Sequence, residues 1–489
     1  MVVRWLPLML AGALGMAQEP AAPPWKPPDS VRWAAADAAR AGPGSRGRLR
    51  YLDLGAVPPA ERPDLIQTLA GHLNSLSREP ELVPPVVVPG TGGALLRINL
   101  DDYGWPDQIW ESLAEVSPYH HARIKEWFTG PWPGGTWPPG QAGGTYYPPG
   151  AFAWERPRLR TALAPWLSEG PAGARAAADL VTATGSRAPI VSGPWFLWQT
   201  AIQEGRQPGY YDFLGIKDQK GFEKLVRFDP KLAKDLEQRR VVIFSGITQE
   251  PRRAERTNTV LGGLWRTFDS AQAVDKHNPL RVLNGELEYD VSEQIAPLPN
   301  GLPVFLLVNA QGARQNIAPP SVVAGDRASG KDAQLHVGLS CVRCHLAGKS
   351  QVIIPIDAVP IRALRSLDYD KLRELRRQYQ RDLAPLMDQD RRGYAAALKA
   401  ATGWQASQYA TAYSRHYQRY DEAQVDAAWA GRDFGRTGAE VRAALARYDQ
   451  LTGRLDPVLT VIANGGRVPI RQWQEAVPQF WTSIRGAGR

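Results

Sequence analysis

The residues closest to chemistry lie in one short string, Cys341-Val342-Arg343-Cys344-His345, which holds the chain's two cysteines and an adjacent imidazole. Thiols three apart at the start of a helix face the same way, so both can reach the two vinyl groups of one porphyrin as thioethers. The neighbouring histidine is then held beneath the iron as proximal ligand. Few random placements of two cysteines in 489 residues have this spacing, and fewer are followed directly by one of only seven histidines. A thioredoxin-like redox pair needs a βαβ context, which does not flank the string. A zinc site needs a further Cys/His cluster at ligand spacing, and the sequence has none. The expectation is one covalent haem c on Cys341 and Cys344, with His345 on the iron.

The opposite axial position is less determined. Met387 is the one methionine left if residues 1–17 are removed, and it ends a helical pattern downstream of the motif. It is the first candidate distal ligand, with core filler beside Leu383 and Leu386 an equal reading. His416, in a helical tyrosine stripe (Tyr409, Tyr413, Tyr417, Tyr420), is a weaker alternative. His336 lies only five residues before Cys341, which makes folding back over the other haem face awkward. His72, His120, His121 and His277 stay open on sequence alone, as does a vacant or water-bound iron. Met/His ligation raises the potential and suits electron transfer, whereas an open position permits peroxide, oxygen or small-ligand chemistry. The apolar run Val352-Ile353-Ile354-Pro355-Ile356 could wall the pocket. Pro355 could offer its carbonyl to the other nitrogen of His345 and fix the ring, or be an ordinary loop proline.

The first residues read as an export signal: Arg4, an apolar stretch from Trp5 to Leu14, then the small-residue cleavage site Gly15-Met16-Ala17. Haem attachment to such a string is made outside the cytoplasm, so leader and motif point to one compartment, the periplasm or cell envelope. No apolar run beyond this leader is long enough for a membrane-spanning helix. Formal charge is +9, and removal of Arg4 with the leader would make it +8. The basic balance could favour an acidic redox partner protein; the basic residues are spread along the chain, which does not argue for nucleic acid and reads first as a solvated basic surface. At 43% hydrophobic and 22% charged the composition is globular.

Beyond the motif, several strings carry a family likeness: Leu96-Arg97-Ile98-Asn99-Leu100-Asp101-Asp102-Tyr103-Gly104-Trp105, Glu255-Arg256 with Gly263-Leu264-Trp265-Arg266-Thr267-Phe268-Asp269, Leu298-Pro299-Asn300-Gly301-Leu302, and Val337 through His345. Over roughly residues 50–365 the chain resembles a family of exported bacterial proteins with a cytochrome-c domain and a single CxxCH. The resemblance implies haem c at Cys341, Cys344 and His345, and supplies neither substrate nor distal ligand. Asn99, where the family pattern has Asp, is a departure.

The elements that must position these residues read as α+β. The expected order is a signal peptide (1–17), a flexible leader (18–46) with one helical turn near Ser30–Arg40, an α+β domain (47–321), a cytochrome-c-like haem-binding region (322–400) and a helical C-terminal region (401–489). Ile66, Leu69, Leu73 and Leu76 recur at helical spacing, with His72 off their stripe. Strands are predicted at Leu95–Leu100, Val241–Ile247, Gly262–Asp269, Glu286–Ile295 and Leu302–Asn309, and a helix over 222–240. Asn300-Gly301 signals a hairpin. Asp101 and Asp102 are expected to cap a helix before Pro106 rather than act as a catalytic pair. Trp127–Trp154, rich in Pro, Gly and aromatics, reads as a packed loop or a recognition flap. From Ile361 onward the pattern is helical, with Leu364, Leu372, Leu375, Tyr379, Leu383 and Leu386 on one face and Arg362, Arg365, Arg373, Arg376, Arg377 and Arg381 on the other.

These readings converge on an exported monohaem c-type cytochrome that passes single electrons and has no substrate of its own. The alternatives are a haem-based sensor or ligand-binding module, or a monohaem enzyme of peroxidase or oxidase type. Dihaem peroxidases carry two CxxCH strings and this chain has one.

Overall fold

A computed structural model describes residues 30–117, 176, 179–204, 208–231, 239–244, 251–272, 274–282, 287–319, 334–346, 368–379, 383–433, 437–453 and 455–486. The signal peptide, His120, His121, the Trp127–Trp154 segment, Val352–Ile356 with Pro355, and Leu364, Arg362, Arg365 and Arg381 lie outside the described residues.

The fold is α+β, with two main sheets. The first has the order β2-β3-β1-β4, where β1 (Leu49–Asp53) runs antiparallel to β3 (Leu95–Asn99) and parallel to β4 (Ile190–Ser192); β2 is the short edge Val86–Val87. Its two faces are both covered. On one side lies α1 (Ser30–Arg40), which buries Val31, Ala34 and Ala38 against Leu49, Tyr51 and Leu95. The helical turn expected at Ser30–Arg40 within the leader is a helix of 11 residues, because three small or branched apolar residues at helical spacing seal a sheet face. On the other side, α3 (Arg62–Ser75) and α5 (Gly193–Thr200) bury Leu65, Leu69, Leu73, Phe196 and Leu197. The short helix α2 (Pro43–Arg46) precedes β1, and α4 (Asp107–Val116) follows β3. The expected cap is placed differently: Asn99, not Asp101 or Asp102, accepts from the Asp101 amide to start a 3-10 turn, while Asp101 pairs with Arg48 at 2.7 Å.

The second sheet is a five-stranded antiparallel meander, β5 (Arg239–Phe244), β6 (Pro251–Asn258), β7 (Gly263–Phe268), β8 (Val291–Pro297) and β9 (Pro303–Asn309). The Asn300-Gly301 hairpin joins the last two, with Gly301 in the left-handed region at φ 84°. Within the predicted helix over 222–240, α7 covers Gln219–Leu225, after α6 (Tyr210–Leu214); Pro230 and Lys231 are again helical, 232–238 lie outside the described residues, and Arg239 and Arg240 belong to β5. β6 was not legible as a strand, because Arg252, Arg253, Glu255 and Arg256 break the apolar alternation. Those charges are partnered in the fold: Arg252 meets Asp269 at 2.6 Å, and Arg240 and Arg253 meet Glu255 at 2.8 and 3.2 Å.

The cysteines lie on α8 (Leu339–His345). Gly338 starts this helix at φ 84°, and a Cβ there would sit 2.4 Å from the Ala201 carbonyl oxygen. Only glycine supplies both the turn and the close approach to the end of α5. Then come α9 (Tyr369–Gln378), α10 (Leu383–Thr402), α11 (Ala406–Asp421), α12 (Ala427–Asp433), α13 (Gly438–Thr452), α14 (Pro457–Ala463) and α15 (Ile470–Gly486). The tyrosine stripe of α11 is core, turned towards α3, α5 and α8. One apolar cluster runs from Leu52 through Cys341 and Val342 to Trp473 and Phe480. The motif helix is thus part of a shared core, rather than mounted on a helical body beside it. Among the described residues no helix is long and apolar enough to cross a membrane.

Gly338→Ala should lower stability by about 2 kcal/mol or more, from left-handed strain and overpacking. A urea midpoint that stays at the wild-type value would show that α8 tolerates displacement.

Candidate functional site

One face of the meander is turned towards α10. Alternation sends Ala254 from β6, Trp265 and Thr267 from β7, Glu293 and Ile295 from β8, and Phe305 from β9 to this face. Opposite it stands α10, and the end of α8 closes one side. The resulting cleft has an empty volume, mouth included, of about 690 Å³. His345 and Met387, distant in sequence, both line it.

α10 is held in place by a buried clamp. Asp390 accepts from Arg256 at 2.9 and 3.1 Å and from the Trp265 indole at 2.8 Å. Arg256 and Asp390 are both nearly enclosed, at 8% and 11% side-chain exposure. In this geometry the bidentate fork is directional as well as attractive. Residues 383, 387, 390 and 394 lie on one face of a helix at 3.6 residues per turn. Pinning Asp390 therefore presses Leu383 against Val241, Ile243 and Ala254, and sets Met387 and Tyr394 over the cleft. The Tyr394 hydroxyl is buried there with no hydrogen-bond partner, and burial pushes its pKa up, with the Asp390 charge adding to the shift.

The His345 side is built from β9. The hydroxyls of Tyr210 and Tyr211 accept from the backbone amides of Phe305 and Leu307, each at 3.0 Å, and so fix this outer strand. The Phe305 ring then stacks on the His345 imidazole, with centroids 5.7 Å apart. Nε2 of His345 lies 3.2 Å from Glu293 Oε1, with the carboxylate accepting. Burial alone would raise the Glu293 carboxyl. The charge and hydrogen bond of His345, together with Arg252 and the Cys341 thiol, outweigh it and hold the group below the usual carboxylate range. The same carboxylate, after burial itself, pushes the Cys341 thiol well up. Cys341 is buried and Cys344 half-buried, and both are thiols. Neither sulfur lines the cleft; Cys341 reaches it only through Glu293. The Arg343 guanidinium donates to Ser414 at 2.9 Å, which ties α8 to α11.

The other described histidines are not brought to this cleft. His416 lines a different cavity, its Nε2 2.6 Å from Asp64. His336 is buried just before α8, where its backbone amide donates to the Ser340 hydroxyl. His277 sits by Ser270 and Glu288. His72, expected off the buried stripe, is in the core. Thr200 donates its hydroxyl to Phe196, so the 2.7 Å contact has His72 Nε2–H donating to Thr200. Among the described arginines of α9, Arg373 and Arg377 pair with Asp370 and Glu374 on their own helix. Among the described residues no group of three or more His, Cys, Asp or Glu is arranged to hold a metal ion.

Glu293, Phe305, Trp265, Asp390 and Tyr394 were missed by sequence reasoning. Two signals were available: Glu293 interrupts an otherwise apolar strand face, and Asp390 falls one helical turn beyond Met387. No family model matches the chain, and no curated protein or solved structure matches it at significance.

Asp390→Ala would leave Arg256 buried and unpaired, at a cost of about 3 kcal/mol in equilibrium unfolding. A cost near zero would mean α10 is held by its apolar contacts alone. Burial also lowers the His72 pKa from 6.5 to about 3. The unfolded chain takes up this proton below about pH 6.5 and the fold does not, so stability is full above that pH and falls as pH drops towards 3, by up to about 1.4 kcal/mol per pH unit. His72→Gln should flatten that slope in urea titrations between those pH values; an unchanged slope would assign it to other groups.

Proposed function

We propose that the protein is an exported one-electron carrier of c-type cytochrome character. In this reading α8 holds one haem c through thioethers from Cys341 and Cys344. His345 would hold its iron, with Met387 the candidate for a second iron ligand. The observation that carries the proposal is the convergence of His345 and Met387 on a single cleft, added to the CxxCH string.

The residues present fit such a group on their own chemistry. The cleft offers an imidazole and a thioether sulfur on separate elements, a mainly apolar lining, and a buried tyrosine hydroxyl lacking a partner. A haem held there supplies a one-electron iron couple, with the potential raised by a sulfur ligand. The chain's residues do the rest. Phe305 fixes the plane of the imidazole. Glu293 accepts from one ring nitrogen of His345, which leaves the other for metal and makes it more basic. The sheet face and α10 keep water from the buried side. Attachment also requires the Cys341 sulfur to turn from Glu293 towards the cleft.

Export rests on the leader sequence, and an acidic redox partner on the formal charge, +9 for the whole chain and +8 without the leader. The paired arginines of α9 add little to that second argument.

The test is to mature the chain with haem-attachment machinery and record its mass and absorption spectrum. One covalently added haem is expected, lost in Cys341→Ala/Cys344→Ala. The far-red methionine–iron band should vanish in Met387→Ala and persist in His416→Ala. A secreted product without a covalent tetrapyrrole would overturn the proposal, and a band unaffected by Met387→Ala would remove that residue as ligand.

A further inference from the structure

A second cavity lies at the carboxyl ends of the parallel pair β1 and β4. Asp53 and Ser192, the last residues of the two strands and partners in register, form its floor. From there the chain leaves β1 into a loop and β4 into α5. Gly193 opens α5, and a Cβ there would meet Leu54 at 2.4 Å, so glycine lets the helix start this close to the loop. Trp195, Tyr420 and Trp429 supply aromatic walls, with Val57 and Leu65 between them. The empty volume, mouth included, is about 1170 Å³, and the lining is mainly apolar.

The charges around this space decide what it would hold. Arg419 is ion-paired with Glu61. His416 donates to Asp64, which Arg415 also engages. These groups neutralise one another. Asp53 differs: its carboxylate accepts from the Gly55 amide at 2.7 Å and from the Ser30 hydroxyl, and among the described residues no cation is ion-paired with it. The nearest guanidinium, Arg62, donates to the carbonyls of Val57, Gly55 and Gly92 and acts on Asp53 by charge alone, without a direct ion pair. Burial raises the Asp53 pKa to about 6, which leaves it ionised in mildly alkaline solution. The amino end of α5 favours anions, but the Ser192 side chain already accepts from the Trp195 amide there. Among the described residues, the cavity is thus an aromatic-walled space with one carboxylate that lacks a counter-ion. A buried carboxylate of this kind is stabilised by an incoming cation.

We infer that this cavity binds a primary arylalkylamine, its ammonium donating to Asp53 and its apolar body lying against Trp195, Tyr420 and Trp429. The inference stands apart from the haem reading and survives its failure.

Three probes with one apolar body separate the terms: phenethylamine, phenylethanol and phenylacetate. Each is titrated into the full chain by calorimetry, with tryptophan fluorescence as a second readout. The amine should bind about tenfold or more tighter than the alcohol, and phenylacetate most weakly. Asp53→Asn, which keeps an acceptor for Gly55, should remove that advantage and leave the alcohol unchanged, with circular dichroism as a check on folding. Equal affinities for the three probes, no binding of any, or an amine affinity untouched by Asp53→Asn overturns the inference. If the variant does not fold, the wild-type ranking of the probes still decides.

Discussion

Asp390 is the residue on which the geometry of the cleft depends. A single carboxylate on α10 accepts two bonds from Arg256 and one from Trp265, across the seam between helix and sheet. Desolvating an ion pair is expensive and is offset only when nearly all its hydrogen-bonding capacity is used. Here the indole adds the further bond that makes burial tolerable. The contact is specific in direction, so it fixes the rotation of α10 about its axis as well as its distance. Rotation is what matters, because Met387 and Tyr394 face the cleft only in one setting of that helix.

The facing wall depends on relayed order. Tyr210 and Tyr211 hold the outer strand β9, β9 presents Phe305, and Phe305 sets the plane of the His345 ring. Glu293 then touches both the imidazole and the Cys341 thiol, so the one charge on this wall is shared between the two chemical groups of the motif. The two walls come from different kinds of interaction. One is an ion pair with geometry, the other a chain of backbone hydrogen bonds and ring contact.

Local patterns carried much of this, and long-range pairing carried the rest. The hairpin at Asn300-Gly301, the apolar stripe of α3, and strands β3, β5, β7 and β9 were legible because each is announced within a few residues. The motif itself needs only five. Met387 was nameable, since one methionine outside the leader is a short list, but nothing in sequence could tell ligand position from core filler. β6 was illegible because its charges look like solvent exposure until Asp269, Glu255 and Asp390 are seen opposite them. Likewise His72 appeared off the apolar stripe, and only Thr200, far along the chain, makes its burial possible. α1 was undervalued because alanines carry little signal until a sheet is there to receive them.

The continuity of the apolar cluster from Leu52 to Phe480 bears on timing. A chain emerging from its amino end presents the two sulfurs well before α11 exists, and α8 stays uncovered on that side until α11 arrives. Afterwards Cys341 retains only 4% of its exposure. Any agent that acts on its sulfur therefore works in the interval before closure, or waits for a local opening of α8. Burial thus makes reactivity at this position a matter of order in assembly as much as of intrinsic nucleophilicity.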